Sequence, residues 1–284
     1  MLYKIILISI FITITNMLNT TPKIIKSYNL NPLEKIIKTD NQDTLIIFDI
    51  GNVILRRPDN FFNWVNADKS NIILKKYIFD RYKVYATQNK INPELSDTEK
   101  SIIWVNIKNK ANKIITSQEI LSLINKIQEK NIPVIALTLI DTGIQETKED
   151  IEHDRINDLL KLGINFSKAF NINLLNLINI NNPDSKPIFK NGILFADKAP
   201  KGETLKLFLE KLNLNPKKII FIDDSIEYIN SVAKTSQELN INFIGIHYLI
   251  KETFYVNQNI ELNNKQLDYF FKHQIWLNDE TFLS

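Results

Sequence analysis

An α/β fold with a doubly wound, mainly parallel sheet is predicted by three features of this 284-residue chain. Apolar runs of strand length at 45–50, 132–137, 218–222 and 241–246 show little alternation, as expected of strands buried on both faces. Amphipathic stretches of helical period separate most of these runs, which is the pattern of right-handed β-α-β crossovers. Two of the runs end abruptly in carboxylate, at Asp49 and at the pair Asp223-Asp224. In open α/β sheets ligands gather at the carboxyl ends of strands, so both acidic ends should face one crevice.

Taken in order, the chain opens with Lys4 and an apolar stretch of about eleven residues, followed by the polar Asn16 to Thr21. That is the layout of a secretory signal peptide over 1–21. The stretch is shorter than the roughly 20 residues that span a bilayer comfortably. It directs export, with an uncleaved membrane anchor as the alternative. Residues 22–44 are polar and Asn-rich and read as a tether. The first core strand, 45–50, opens a core expected over 45–55 and 116–250. Residues 56–115 carry patchy helical signals around Phe61–Val65 and Lys75–Tyr82 and read as a helical insertion.

Thr116 and Glu119 have capping-box spacing ahead of Ile120, Ile124 and Ile127, which share one helical face. The run 132–137, with Pro133 at its start, delivers Thr138 to a strand end. A helix over 148–162 places Ile156, Leu159 and Leu160 inward and ends at Gly163 as the C′ residue. Residues 165–186 show little regularity. Asn191-Gly192 is the strongest two-residue signal for a hairpin and joins two short strands over 188–195. Helices from Lys201 and from Ser225 bracket the acidic strand 218–222. A terminal helix at 264–277 lies in a C-terminal extension, 251–284.

Composition narrows the function. A net charge of +3 with no basic stripe argues against a nucleic-acid interface. The absence of Cys excludes disulfides, Cys-ligated zinc, Cys nucleophiles and lipid anchors on Cys. Single aspartates after strands are commonly turn or N-cap residues. Two adjacent carboxylates at a buried strand end gain nothing structural together. Asp49, Asp223 and Asp224 in one crevice repel one another unless a cation sits among them. All-oxygen ligation suits Mg²⁺.

The order of motifs resembles the haloacid dehalogenase-like (HAD) hydrolase superfamily. Asp49-Ile50-Gly51-Asn52-Val53 matches its first motif, Asp-x-Asp-x-Thr/Val, at the first and last positions. Thr138 after Ile135-Ala136-Leu137 is similar to its second, Lys201 in Pro200-Lys201-Gly202 to its third, and Phe221-Ile222-Asp223-Asp224 to its fourth. The N-terminus, the hairpin and the Lys201-Gly202 opening resemble a little-characterised group of exported bacterial proteins of this kind that carry an unassigned domain.

The resemblance implies a HAD-like Rossmannoid sheet with a helical cap insertion after the first core strand. It implies that Asp49 attacks phosphorus and that Mg²⁺ is held by Asp49, the Gly51 carbonyl and Asp223, with Asp224 or Glu227 behind it. Thr138 would bond a phosphoryl oxygen, and Lys201, with Lys198 as competitor, would balance charge. The substrate would be a small phosphorylated compound. The location would be periplasmic or secreted, with membrane contact only through the N-terminus. Gly51 stands where the family carries its acid–base Asp, a loss worth about 10²–10⁴ in rate. Asp59 is a candidate substitute. The alternative function is a non-catalytic fold that binds metal and phosphate, or a protein partner.

Overall fold

Buried strands separated by helices set the architecture of the computed structural model, which describes residues 21–39, 43–63, 72–140, 142, 150–178, 183–249 and 259–283. Nearly all of the segment read as an export signal, residues 1–20, lies outside them. In chain order the first elements are β1 (Lys23–Ser27), α1 (Asn31–Ile37), β2 (Thr44–Phe48), β3 (Leu55–Arg56), α2 (Asn60–Asn63), α3 (Ile72–Gln88), α4 (Asp97–Lys110) and β4 (Ile114–Ile115). Then come α5 (Gln118–Glu129), β5 (Val134–Thr138), α6 (Ile151–Lys161), β6 (Leu174–Asn176), β7 (Ile188–Lys190) and β8 (Ile193–Phe195). The remainder are α7 (Lys201–Lys211), β9 (Lys218–Asp223), α8 (Ile226–Glu238), β10 (Asn242–Tyr248), α9 (Ile260–His273) and α10 (Asp279–Leu283).

Eight strands form one sheet in the order β1-β10-β9-β2-β5-β8-β7-β6. Pairing is parallel from β1 to β8 and antiparallel at β8-β7 and β7-β6. The fold is therefore mixed α/β with a mainly parallel sheet. Every residue of β2 and of β5 is buried, which is why these runs lack alternation. Register sets the site: Phe48 of β2 is level with Ile222 of β9 and with Ala136 of β5. Asp49, Asp223 and Thr138 thus emerge at the same end of three neighbouring strands.

The hairpin forms at Asn191-Gly192, with φ of 49° and 82°. Both values are positive, as a type I′ turn requires. Gly163 ends α6 at φ 81°.

Four expectations are corrected. Residues 22–44 are not a tether: β1 pairs with β10 and α1 buries Leu33 and Ile37. The polar composition that suggested a tether belongs to an edge strand, three of whose five residues are exposed. The cap of α5 is Ser117, which accepts from the Glu119 amide, one residue beyond Thr116. Thr116 instead donates to the Val53 carbonyl. Leu160 faces outward while Ile156 and Leu159 are buried. Residues 174–176, read as irregular, form β6 against β7.

The chain divides into two compact units. The unit holding the sheet has a core that includes Ile47, Leu137, Phe189, Leu194, Phe208, Phe221 and Phe243. The other gathers the described residues of 55–114 with those of 259–283. Its core joins Phe61, Leu74, Ile78, Trp104 and Ile107 to Leu267, Phe270 and Trp276. Arg81 on α3 donates from both Nε and Nη2 to Asp268 on α9, and Tyr77 Oη donates to Asn264 Oδ1 at 2.7 Å. Helix α9 begins at Ile260 and stops at His273, where Gln274 turns left-handed at φ 55°, so Trp276 lies beyond it. Among the described residues no helix is long and apolar enough to cross a membrane.

Candidate metal and phosphate site

Strand β2 carries Asp49 to the sheet's carboxyl edge, where its amide donates to the Ile222 carbonyl of β9 at 2.8 Å. Next to it, Asp223 ends β9 fully buried, and Asp224 follows partly buried. Each of the three offers a carboxylate oxygen, and these oxygens lie within 4.8 Å of one another. The grouping predicted from sequence therefore exists in space. Three carboxylate oxygens form a hard donor set suited to Mg²⁺, and Asp49 Oδ2 has no hydrogen-bond donor among the described residues.

Lys201 is the first residue of α7 and is 1% exposed. Its Nζ donates to Asp49 Oδ1 at 2.5 Å and to Asp223 Oδ2 at 2.8 Å. A cation in the first turn of a helix opposes the macrodipole. The two carboxylates supply the compensation. The ammonium also lies 4.7 Å from the Tyr228 ring centroid and 5.6 Å from that of Phe221. Gly202 makes this placement possible. A Cβ there would meet the Ser231 carbonyl oxygen of α8 at 2.3 Å, so only glycine lets α7 approach α8 so closely. Lys198, the competing lysine, is exposed, and Glu227 is exposed.

Electrostatics follow from burial. Burial, reinforced by Asp49, raises the Asp223 pKa to about 8, against the pull of Lys201 and the Ser225 amide. Burial and Asp49 likewise raise Asp224 to about 6, with the Asn52 amide opposing. Burial alone would lower the Lys201 pKa, yet Asp49 and Asp223 raise it. One ammonium does not neutralise three carboxylates; a proton on Asp223 relieves the excess, and a divalent cation would take that proton's place.

Several groups escaped the sequence reading. Asn52 sits left-handed at φ 58° and its Nδ2 donates to Asp224 Oδ2 at 3.0 Å. The Ser225 amide donates to Asp223 Oδ1 at 2.7 Å. His247 Nε2 lies 3.1 Å from the Asp224 carbonyl oxygen, which places its proton on Nε2. An Asn directly before an apolar residue at a strand-to-turn boundary is a common turn residue, so nothing in the sequence singled out Asn52.

The remaining predicted residues divide. Thr138 is buried at the end of β5, where its carbonyl accepts from the Ala196 amide at 2.9 Å. Gly51 is exposed, beside Asp49. Asp59 belongs to the unit without the sheet, where it is buried and structural. Its Oδ2 accepts from Trp276 Nε1 at 2.8 Å and its Oδ1 from the Asp279 amide at 3.3 Å. Both oxygens are committed to holding the chain's C-terminal residues, so the idea that Asp59 stands in for the missing acid is withdrawn.

Comparison with known proteins adds relatives to this geometry. The chain belongs to the family described as "Protein of unknown function (DUF2608)", whose model matches residues 26–282. An uncharacterised protein of Rickettsia prowazekii (strain Madrid E) is 24% identical over 262 residues, covering 91% of this chain and 89% of its own. A Chlamydia pneumoniae protein that carries a provisional outer-membrane name is 24% identical over 223 residues, 72% of this chain and 76% of that one. A haloacid dehalogenase-like family hydrolase from Streptococcus pneumoniae resembles 71% of this chain over 93% of its own, at 12% identity and a TM-score of 0.36. A HAD family enzyme from Bacteroides thetaiotaomicron, solved with magnesium and inorganic phosphate, does so over 70% and 91%, at 20% identity and a TM-score of 0.32.

Proposed function

We propose that this member of the DUF2608 family is an exported, Mg²⁺-dependent phosphomonoester hydrolase that works through a phosphorylated Asp49. One observation carries the reading: Asp49 and Asp223, on adjacent parallel strands, share the buried Lys201 ammonium at 2.5 and 2.8 Å beside Asp224. A buried, cation-bridged carboxylate at the ligand-binding edge of a parallel sheet is poised as a nucleophile and not as a cap.

In this mechanism Asp49 Oδ2 attacks phosphorus while Oδ1 stays on Lys201. The ester oxygen leaves as an alkoxide that takes its proton from solvent, and water then attacks the acyl phosphate, losing a proton to solvent, to release phosphate and restore Asp49. Mg²⁺, held by Asp49, Asp223 and the Gly51 carbonyl, with Asp224 behind, would supply charge neutralisation and orientation of the phosphoryl group. Lys201 holds the nucleophile in place and offsets its charge. Thr138, at the neighbouring strand end, would donate to a phosphoryl oxygen. Asn52 fixes Asp224.

Gly51 leaves the leaving alcohol and the attacking water without a side-chain acid or base, so turnover is slow. The same residue favours the second reading, a protein that binds metal and phosphate without turning substrate over. Hydrolysis of an aryl phosphate by the full-length protein, with and without Mg²⁺, separates the two. Mg²⁺-dependent release that vanishes in Asp49→Asn supports the phosphatase. Release that survives the substitution overturns it.

A further inference from the structure

When Asp49 attacks phosphorus, the leaving oxygen must carry away the electron pair of the bond that breaks. In-line displacement puts that oxygen across phosphorus from Asp49 Oδ2. Position 51 lies beside the nucleophile. A Cβ built there would sit 3.7 Å from Asp49 Oδ2, and no other atom of the described residues, chain neighbours aside, comes within 4 Å. The backbone at this point is not left-handed, so conformation does not require a glycine. Gly51 is exposed, and it leaves open the place from which a side chain could protonate the departing oxygen.

The proton-bearing groups around Asp49 are committed elsewhere. Lys201 is buried, and its ammonium donates to Asp223 and to Asp49 Oδ1, the oxygen that does not attack. Asp223 is fully buried, with Oδ2 on Lys201 and Oδ1 on the Ser225 amide. His247 gives its Nε2 proton to the Asp224 carbonyl, and its Nδ1 is buried. Tyr228 turns its ring to Lys201, and burial raises its pKa, which makes it a weaker acid. Asp224 accepts from Asn52, and a pKa of about 6 leaves it mostly ionised at neutral pH. A leaving group here must depart as an anion. An alkoxide does so poorly, because an ordinary alcohol is about as weak an acid as water, with its pKa of about 15.7. A phenolate, at about 10, leaves more readily, and a phosphate, at about 6, or a carboxylate, at about 4, more readily still.

We propose that the substrate of this site is a phosphoryl compound with a weakly basic leaving group, an anhydride or an aryl or enol ester, and not the phosphate ester of an ordinary alcohol. The inference rests on the reading of Asp49 as the phosphoryl acceptor. In the first step the bond from Asp49 Oδ2 to phosphorus forms and the bond to the leaving oxygen breaks. That oxygen keeps the bonding pair and departs as a carboxylate, phosphate, phenolate or enolate. No proton is transferred at this stage, so the open position at Gly51 costs such a substrate little. The slow step moves to hydrolysis of the acyl phosphate, where water still has no base.

The test measures kcat/KM, which reports the steps up to phosphorylation of Asp49, on the full-length protein loaded with Mg²⁺. The substrates are phenyl phosphates graded by the pKa of their phenol, acetyl phosphate and glycerol phosphate, with Asp49→Asn as the blank for spontaneous hydrolysis. For wild type kcat/KM should climb steadily as the phenol pKa falls. Glycerol phosphate should lie at least about 10²-fold below phenyl phosphate, the lower end of what a general acid supplies. Acetyl phosphate above the line of the aryl series identifies an anhydride as the substrate, and a value on or below that line identifies an aryl or enol ester. Gly51→Asp should flatten the series, gaining most on glycerol phosphate and least on acetyl phosphate. Equal kcat/KM across the wild-type series overturns the proposal and leaves the phosphatase reading intact, since that release would still depend on Asp49. No release above the blank from any substrate overturns both. Should Gly51→Asp fail to fold, the wild-type series decides alone.

Discussion

A side chain added at Gly51 would meet Asp49 Oδ2 at 3.7 Å, ordinary van der Waals contact, and the backbone there is not left-handed. Gly51→Asp should therefore fold, and it would place a carboxyl beside the nucleophile. Turnover of an aryl phosphate should rise by about 10²–10⁴, with little change in Mg²⁺ affinity. A well-folded variant no faster than wild type would show that proton transfer is not what limits the site. The neighbouring carboxylates make a second prediction. Asp223 has a folded-state pKa of about 8, above its unfolded range, so its proton favours the fold at low pH and that contribution is lost as pH rises towards 8. The same proton competes with Mg²⁺. Apparent Mg²⁺ affinity should climb about tenfold per unit as pH rises towards 8, then level off. Calorimetry between pH 5.5 and 8.5 checks the slope, and affinity independent of pH would remove Asp223 from the metal site. Residues of this kind were legible in the sequence because their strands are: a buried apolar run that ends in carboxylate has few meanings. Asn52 and His247 were not, because each matters through Asp224, which lies elsewhere in the chain.

Two elements hold the site in shape. Helix α7 reaches the sheet edge because Gly202 packs on the Ser231 carbonyl of α8, and the Gly202 amide donates to Ser231 Oγ at 3.1 Å. Gly202→Ala drives its methyl into backbone, a displacement that should cost about 1–3 kcal/mol. Because Lys201 is the adjacent residue, Mg²⁺ affinity and phosphate release should change as well. Thermal unfolding with a parallel Mg²⁺ titration reads both, and a stable variant with wild-type binding would show that α7 has slack. In the other unit, Asp59→Ala strands the buried Trp276 indole N–H and the Asp279 amide. Stability should drop by about 1–3 kcal/mol while Mg²⁺ affinity stays the same. Loss of turnover in a folded Asp59→Ala protein would restore Asp59 as a catalytic candidate. Element positions followed from periodicity where one face is buried, as in α5 with Ile120, Ile124 and Ile127. Periodicity gave less in α3 and α4, whose apolar residues are scattered around the helix and whose core includes Leu267, Phe270 and Trp276 from far along the chain. Edge position hid β1, since a strand with half its surface in water needs no apolar run.

At the scale of the whole molecule, the expectation of an α/β fold with a mainly parallel sheet holds, because alternation of buried strand and helix admits few other layouts. The grouping of the C-terminal residues with the insertion was not legible, since sequence periodicity records local faces and not which distant faces meet. Export is the prediction at this scale. Fusing residues 1–30 to a reporter active only outside the cytoplasm should give signal, and silence would return the apolar N-terminus to the folded chain. The central claim is chemical: Asp49 becomes phosphorylated. With no acid–base side chain at position 51, water attacks the acyl phosphate slowly and the intermediate should accumulate. The direct measurement is to mix the full-length, Mg²⁺-loaded protein with radiolabelled aryl phosphate, quench in acid within one turnover and map the label. The account predicts acid-stable, hydroxylamine-labile label on the peptide that contains Asp49, absent in Asp49→Asn. Phosphate released with no label on that peptide at any time would contradict it.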